Sequence, residues 1–112
     1  MTGAGSKIKR LTTLLEGDAP PEWKRASLCF GFFNVIHPGH LRYFHTAREQ
    51  SDILVIALEG DHALPESERL HNFPETERAE ALAALEPVDF VVILDQGPLE
   101  DLVQLIRPHA LV

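Results

Sequence analysis

Apolar runs alternate along this 112-residue chain with segments whose apolar residues recur at helical spacing. The runs predict strands and the spaced segments predict helices. The predicted strands cover residues 27–32, 53–58 and 88–94, and the predicted helices cover residues 39–50, 74–86 and 98–108. Because strand and helix alternate without a hairpin signal, we expect a doubly wound parallel α/β sheet in three layers, with helices on both faces.

Two stretches lie outside this alternation, one at each end of the chain. Residues 7–16 carry apolar positions on one helical face after a capping Ser6, and a proline-containing linker follows them. We therefore expect residues 1–25 to form an N-terminal helix and linker, and residues 26–112 to form the domain. Residues 110–112 are apolar and predict a further strand, either a short edge strand or part of a domain that is truncated at its C-terminus.

The composition narrows the classes of protein to which the chain can belong. Its formal net charge of −7 and its dispersed basic residues argue against a duplex nucleic-acid partner, which requires clustered Lys and Arg. A single cysteine, Cys29, excludes an internal disulfide and favours a reducing compartment. Since no apolar run approaches the ~20 residues of a membrane-spanning helix, we expect a cytoplasmic protein without a membrane or nucleic-acid partner.

The most informative segment of the chain joins the first of these strands to the helix that follows it. His37 and His40 lie three residues apart, with Pro-Gly between them, at the predicted N-terminus of that helix. Such an end offers unpaired N–H groups and a partial positive charge, which suit a phosphate group. Asp61 and Asp95, like His37, follow predicted strands, and doubly wound sheets bind ligands beyond the carboxyl ends of their strands. We therefore predict a phosphate site there.

This segment resembles the signature of the cytidylyltransferase-like nucleotidyltransferases, whose pattern Gly-x-Phe-Asp-x-x-His-x-Gly-His follows the first strand. In this chain the pattern stands as Gly31-Phe32-Phe33-Asn34-Val35-Ile36-His37-Pro38-Gly39-His40. The likeness extends over about residues 26–112. It is strongest to the adenylyltransferase half of bifunctional heptose-phosphate kinase/adenylyltransferases and to glycerol-3-phosphate cytidylyltransferase. The resemblance implies a Rossmann-like fold and a homodimer.

The resemblance also implies a reaction. A phosphate oxygen of a small sugar- or polyol-phosphate would attack the α-phosphorus of CTP or ATP, and pyrophosphate would leave. Such a transfer needs positioning and neutralisation of the charge that builds on the phosphate oxygens. Mg²⁺ is the implied cofactor, held mainly by phosphate oxygens. The alternative is a non-catalytic module of a larger bifunctional protein that binds nucleotide or supports dimerisation.

Individual residues take roles by the same resemblance. His37 and His40 would donate hydrogen bonds to the triphosphate and stabilise the transition state, and Arg78 would face the reacting phosphates. Arg69 lies near the position of the family's phosphate-gripping lysines, with a solvated loop residue as the alternative. The residues implied in nucleotide binding are Gly31, Phe32, Phe33, Asn34, Gly39, Asp61 and Arg69.

The chain departs from the family pattern at two places. Asn34 stands where the family usually has Asp, so that one negative charge near the metal is lost, although the amide oxygen remains a weak candidate ligand for Mg²⁺. The family's second signature, an Arg followed closely by Ser-Thr-Thr, is absent from the sequence and would follow Val112. The resemblance therefore implies that the closing part of the site lies beyond residue 112.

Structural roles and a different metal are the alternatives for these residues. His37 and His40 could serve only as surface or capping residues, or could bind zinc together with His45. Arg78 could lie on an exposed, ion-paired helix face. Asp61 could cap the loop in which it lies.

Overall fold

Five parallel strands form the centre of the protein. The computed structural model of the chain describes residues 7–112. The strands are β1 (Ile8–Arg10), β2 (Ala26–Gly31), β3 (Ile53–Glu59), β4 (Phe90–Leu94) and β5 (Ala110–Leu111), in the spatial order β1-β4-β3-β2-β5. The helices are α1 (Leu11–Glu16), α2 (Pro38–Glu49), α3 (Glu66–Arg69), α4 (Glu75–Ala83) and α5 (Leu99–Ile106). None of these helices is long and apolar enough to cross a membrane.

Each face of the sheet carries its own apolar core. Successive side chains of a strand point to opposite faces, so that Leu54 of β3 joins one core and Val55 joins the other. Helices α2 and α4 cover the first face, whereas α1, α5 and the turn that carries Trp23 cover the second. The predicted parallel α/β sheet between two helical layers is therefore confirmed.

The direction in which the chain adds strands to the sheet reverses at β2 and again at β4, and this order decides where the loop after β2 lies. The chain runs from β2 through β3 to β4, and then returns to place β5 on the opposite side of β2. Because crossovers between parallel strands are right-handed, this return puts α5 on the face opposite to α2 and α4. Doubly wound sheets bind ligands in the crevice at such a reversal, and the loop that leaves β2 opens there.

The N-terminal segment differs from its prediction. The helix predicted over residues 7–16 is wrong at its start, since Ile8–Arg10 forms β1, which pairs in parallel with β4, and α1 begins only at Leu11. The edge of β4 offers unpaired backbone groups that three extended residues satisfy, and helical spacing in the sequence cannot reveal this partner. Leu11 is fully buried in the core of the sheet. The domain boundary at residue 25 stays a prediction, and the Ser6 cap lies outside the described residues.

The carboxyl ends of β3 and β4 approach each other closely at Gly60. A Cβ atom there would overlap the carbonyl oxygen of Leu94 and lie 3.0 Å from Glu75 Oε1. The backbone of Gly60 has an extended conformation that any residue can adopt, with φ −81° and ψ 170°. Position 60 therefore requires glycine because there is no room for a side chain. The same close approach sets the position of Asp61, the next residue, at the start of the loop.

We expect Gly60→Ala to lower the free energy of unfolding by about 1–3 kcal/mol, because the added methyl group must displace the ends of two packed strands. Urea denaturation followed by the fluorescence of the buried Trp23 measures this change. The control is Ala81→Ser, which adds one atom at an exposed position of α4 and should cost about 0.5 kcal/mol or less. Equal stability of the two variants would contradict the close approach at Gly60.

Candidate functional site

The turn between β2 and α2 is held in an unusual backbone conformation at Phe33. Its φ of 49° lies in the left-handed region, which a bulky residue adopts only when its surroundings impose it. The Phe33 ring lies over Gly31 and packs edge-on against His40 and Phe44, with centroid distances of 5.4 and 5.3 Å. The backbone conformation of Phe33 thus places its ring against the ring of His40, one of the two predicted site histidines.

His37 and His40 cap the N-terminus of α2 reciprocally. His37 Nδ1 accepts a hydrogen bond from Gly39 N–H at 3.0 Å, and His40 Nδ1 accepts one from His37 N–H at 3.1 Å. The ring centroids are 4.0 Å apart. Because each Nδ1 is an acceptor, the neutral rings carry their proton on Nε2. The capping interpretation is therefore confirmed, and it leaves two Nε2–H donors side by side at the helix end.

Gly39 makes this arrangement of the two rings sterically allowed. A Cβ atom at position 39 would lie 2.7 Å from His37 Cε1 and 3.0 Å from its Nδ1. Any larger residue would therefore push the His37 ring away from the helix end. The predicted role of Gly39, to leave room for a phosphate beside the backbone, stays a prediction, whereas its role in making room for His37 follows from the contacts.

The backbone N–H groups at the start of α2 are already engaged. Position 38 is proline and has no N–H, and the Gly39 N–H belongs to His37 Nδ1. The N–H groups of His40 and Leu41 donate to the carbonyl oxygen of His37 at 2.9 and 3.3 Å. The prediction of unpaired N–H groups at this helix end is therefore wrong. An anion at this helix end would therefore contact the imidazole groups and not the backbone N–H groups. The partial positive charge of the helix end would lie behind the imidazole groups.

The environment of His40 favours its neutral form. Burial against the neighbouring rings, and secondly the proximity of His37, lower the pKa of His40 below that of an exposed histidine. Protonation of its Nδ1 would also break the hydrogen bond from His37 N–H. His40 is therefore a neutral donor through Nε2 at neutral pH.

Asn34 ties the turn to the loop that precedes α4. Its Oδ1 accepts a hydrogen bond from Phe73 N–H at 2.8 Å. Within residues 7–112, no group of three or more His, Cys, Asp or Glu side chains is placed to hold a metal ion, which argues against the zinc alternative with His45. Asn34, the predicted metal ligand, thus offers a neutral amide oxygen that already accepts one hydrogen bond.

Arg78 lies in the interior, with none of its side chain exposed. Its Nη1 donates to the carbonyl oxygens of Phe32 and Glu59 at 2.8 and 2.7 Å. Its Nε donates to Phe73 O at 2.8 Å, and its Nη2 donates to Asp61 Oδ1 at 2.8 Å. The interpretation of Arg78 as an exposed helix residue is therefore wrong. Its predicted contact with the reacting phosphates stays a prediction, and this burial does not favour it.

Asp61 caps helix α4 and is not free to bind a ligand with its whole carboxylate. Its Oδ1 and Oδ2 accept from Glu75 N–H at 3.1 and 3.2 Å, and its own N–H donates to Glu75 Oε1 at 2.9 Å. The exposed Arg69 donates through Nε to the carbonyl oxygen of Asp61 at 3.0 Å. Asp61 thus acts as a cap, but of the N-terminus of α4 and not of its own loop as the alternative had it, and Arg69 lies on the rim of that loop.

A second charged cluster was not predicted, and it joins the N-terminal segment to this loop. Arg10 donates to Glu75 Oε2 at 2.9 Å, and Thr12 donates to Asp95 through its hydroxyl at 2.6 Å and its N–H at 3.2 Å. Burial alone would raise the pKa of Asp95, but the hydrogen bonds from Thr12 and the nearby Arg10 outweigh it and lower the pKa. In the sequence, the position of Asp95 just after a predicted strand was the one sign of this cluster. The pairing itself could not be predicted, because Thr12 and Arg10 are distant from Asp95 in the chain.

Comparisons with known proteins cover most of the chain. The family described as cytidylyltransferase-like matches residues 28–112. The chain is 41% identical over 98 residues to bifunctional protein HldE of Alcanivorax borkumensis, covering 85% of this chain and 20% of that protein. It is 35% identical over 111 residues to bifunctional protein HldE of Pelobacter propionicus, covering 95% of this chain and 22% of that protein. The chain thus spans about a fifth of the length of these curated relatives.

One solved structure supports the fold. It is the crystal structure of the lipopolysaccharide core biosynthesis protein from Thermoplasma volcanium GSS1, which superimposes with a TM-score of 0.68 at 22% sequence identity. The superposition covers 77% of this chain and 70% of that chain. The five-stranded parallel sheet with its flanking helices is therefore an arrangement shared with a solved protein.

We expect His40 to titrate below an exposed histidine and to carry its proton on Nε2, because burial and His37 both disfavour the cation. Imidazole ¹⁵N chemical shifts recorded against pH report both properties. In His37→Asn, which keeps a good helix cap, the pKa of His40 should rise only partway, since burial is the larger cause. An ordinary pKa, or a proton on Nδ1, in the unmodified chain would contradict the capping geometry.

Proposed function

Because this chain belongs to the cytidylyltransferase-like family, we propose that it transfers CMP or AMP from CTP or ATP to a small sugar- or polyol-phosphate and releases pyrophosphate. The observation that carries the proposal is the pair of Nε2–H donors of His37 and His40 at the N-terminus of α2. They lie in the loop that leaves β2, beside the reversal of strand order at which such sheets bind ligands.

The geometry suits the charge that develops in a nucleotidyl transfer. An oxygen of the acceptor phosphate forms a bond to the α-phosphorus, the bond to the β-phosphate breaks, and negative charge accumulates on the oxygens around phosphorus. Two neutral donors that are fixed before the reaction stabilise this charge without a prior reorganisation. In this proposal His37 and His40 donate to those oxygens, and neither has to transfer a proton.

Mg²⁺ fits this site as an ion that the triphosphate carries. The described residues bring no carboxylate cluster to the turn, and Asn34 Oδ1 keeps a second lone pair beyond its bond from Phe73 N–H. Asn34 would therefore supply at most one ligand, and phosphate oxygens and water would supply the others. When bound, the ion would neutralise charge on the triphosphate.

The substrate-binding residues remain part of the proposal. Gly31 and Phe33 shape the turn, and Phe32 fixes its start. Arg69 and the backbone around Asp61 form the rim of the neighbouring loop, where the exposed guanidinium of Arg69 could move to a phosphate without uncovering the core. We also expect a cytoplasmic homodimer, as the family resemblance implies.

The relatives named above are described as bifunctional proteins, which supports a second candidate function. The chain covers only 20–22% of the length of the relatives named above. A segment of that size could act as a nucleotide-binding or dimerisation module of a larger bifunctional protein without catalysing the transfer. Nucleotide binding without pyrophosphate release, in the full-length protein, would favour this candidate.

We predict that His40→Ala lowers kcat by at least about a hundredfold, the scale on which the loss of one fixed donor to a transition-state oxyanion acts. The assay follows pyrophosphate release by the full-length protein with Mg²⁺, CTP or ATP, and a panel of sugar and polyol phosphates. His45→Ala is the matched control, because His45 is an exposed histidine on the same helix. An unchanged kcat in His40→Ala would remove His40 from the mechanism.

We predict that Asn34→Asp lowers the Mg²⁺ concentration needed for half-maximal activity or leaves it unchanged. A carboxylate still accepts the hydrogen bond from Phe73 N–H and adds one negative charge near the expected ion. The measurement is activity against Mg²⁺ concentration. Asn72→Asp, which adds a charge on the neighbouring exposed loop, controls for a general electrostatic effect. A loss of the metal response in Asn34→Asp alone would contradict the assigned position of the ion.

A further inference from the structure

We infer that Arg78 is a positioning residue, whose buried guanidinium fixes the Phe32–Phe33 turn and through it the ring of His40. The inference deepens the proposed function and rests on it, since His40 is taken as a donor to the reacting phosphates. It differs from the role that the family resemblance implies for Arg78, in which the guanidinium itself faces the phosphates.

The guanidinium joins three segments of the chain that are distant in sequence. It donates to the carbonyl oxygens of Phe32 after β2, Glu59 at the end of β3, and Phe73 before α4. Its charge is balanced by Asp61 at 2.8 Å. Only a planar group with several donors in fixed directions can serve four acceptors of this kind at once, and a lysine ammonium cannot.

Phe32 is held by Arg78 through both its backbone and its side chain. The carbonyl oxygen accepts from Nη1 at 2.8 Å, and the centroid of the ring lies 3.8 Å from Cζ of the guanidinium. A cation over an aromatic face is attracted by the ring, more strongly where water is excluded. Arg78 therefore fixes the plane of the peptide bond between Phe32 and Phe33.

The fixed peptide plane determines the position of the Phe33 ring. With φ at 49°, Phe33 occupies a conformation that an unrestrained turn would leave. In that conformation its ring packs nearly perpendicular to the ring of His40. If Phe33 relaxed to an ordinary backbone conformation, its ring would leave this position and His40 would lose the packing contact with it.

A second route leads from Arg78 to the same turn. The Phe73 residue accepts from Arg78 Nε through its carbonyl oxygen and donates to Asn34 Oδ1 through its N–H. A short chain of hydrogen bonds thus runs from Arg78 through Phe73 to Asn34. It reaches the turn at the end opposite to Phe32. Both ends of the Phe32–Asn34 segment depend on one guanidinium.

A direct contact of Arg78 with a phosphate would conflict with these bonds. None of the side chain is exposed, and four of its N–H donors are engaged with protein oxygens. To reach a ligand in the crevice, the buried guanidinium would have to give up some of these four hydrogen bonds, which is costly for a charged group in the interior.

Arg78→Lys tests the inference, with Arg48→Lys as its matched control. Arg48 also donates through Nε to a backbone carbonyl and pairs with an aspartate, but at the opposite end of α2. Far-UV circular dichroism establishes that each variant is folded. The NOE between the ring protons of Phe33 and His40 is then measured in the ligand-free chain. We expect it to weaken in Arg78→Lys and to persist in Arg48→Lys.

The kinetic readout separates positioning from phosphate binding. In the full-length protein, Arg78→Lys should lower kcat at least ~10-fold, while the Kd for CTP or ATP changes less than ~3-fold. An intact NOE together with a Kd that rises ~10-fold or more would overturn the inference and make Arg78 a phosphate ligand. An intact NOE with unchanged kinetics would also overturn it.

A measurement on the unmodified chain covers the case in which Arg78→Lys does not fold. The guanidinium N–H resonances of Arg78 should keep their positions and their protection from exchange when CTP or ATP is added, whereas those of the His40 ring should shift. The largest shift at Arg78 would contradict the inference. If neither nucleotide binds the unmodified chain, the proposed function fails, but the loss or persistence of the Phe33–His40 NOE in a folded Arg78→Lys variant still decides whether Arg78 sets the ring.

Discussion

A charged guanidinium in a protein interior must find partners for its donors, because a buried charge that remains unpaired is strongly destabilising. Arg78 meets this requirement with carbonyl oxygens from three segments and with the carboxylate of Asp61. The end of β2, the end of β3 and the loop before α4 therefore meet at one point. The geometry of the turn that leaves β2 depends on this meeting point, and so does the wall that Phe33 places against His40.

The two histidines show how one pair of side chains can be structural and available for chemistry at the same time. Each imidazole uses Nδ1 to complete the cap of α2. The cap orients the ring and fixes its tautomer, and the proton that remains on Nε2 is the donor that a phosphate would meet. The structural and functional interpretations of His37 and His40 therefore do not compete. The cap determines the orientation of the two imidazole rings.

The N-terminal segment belongs to the same electrostatic arrangement. Glu75 accepts from Arg10 through Oε2 and from Asp61 N–H through Oε1, so that β1, α4 and the loop of Asp61 are connected through a single carboxylate. Asp95 holds the first turn of α1 through Thr12. The family match begins only at residue 28, yet residues outside it help to hold the loop beside the candidate site.

The sequence by itself determined the parallel α/β architecture, because alternating strand and helix patterns and right-handed crossovers leave few other arrangements. It also determined the strand–turn–helix position of His37 and His40, since those signals are local. It did not determine that Ile8–Arg10 is a strand, that the backbone N–H groups before Leu41 are engaged, or that Arg78 is buried. The tertiary structure decided these features, because each depends on partners contributed by segments that are distant in the chain.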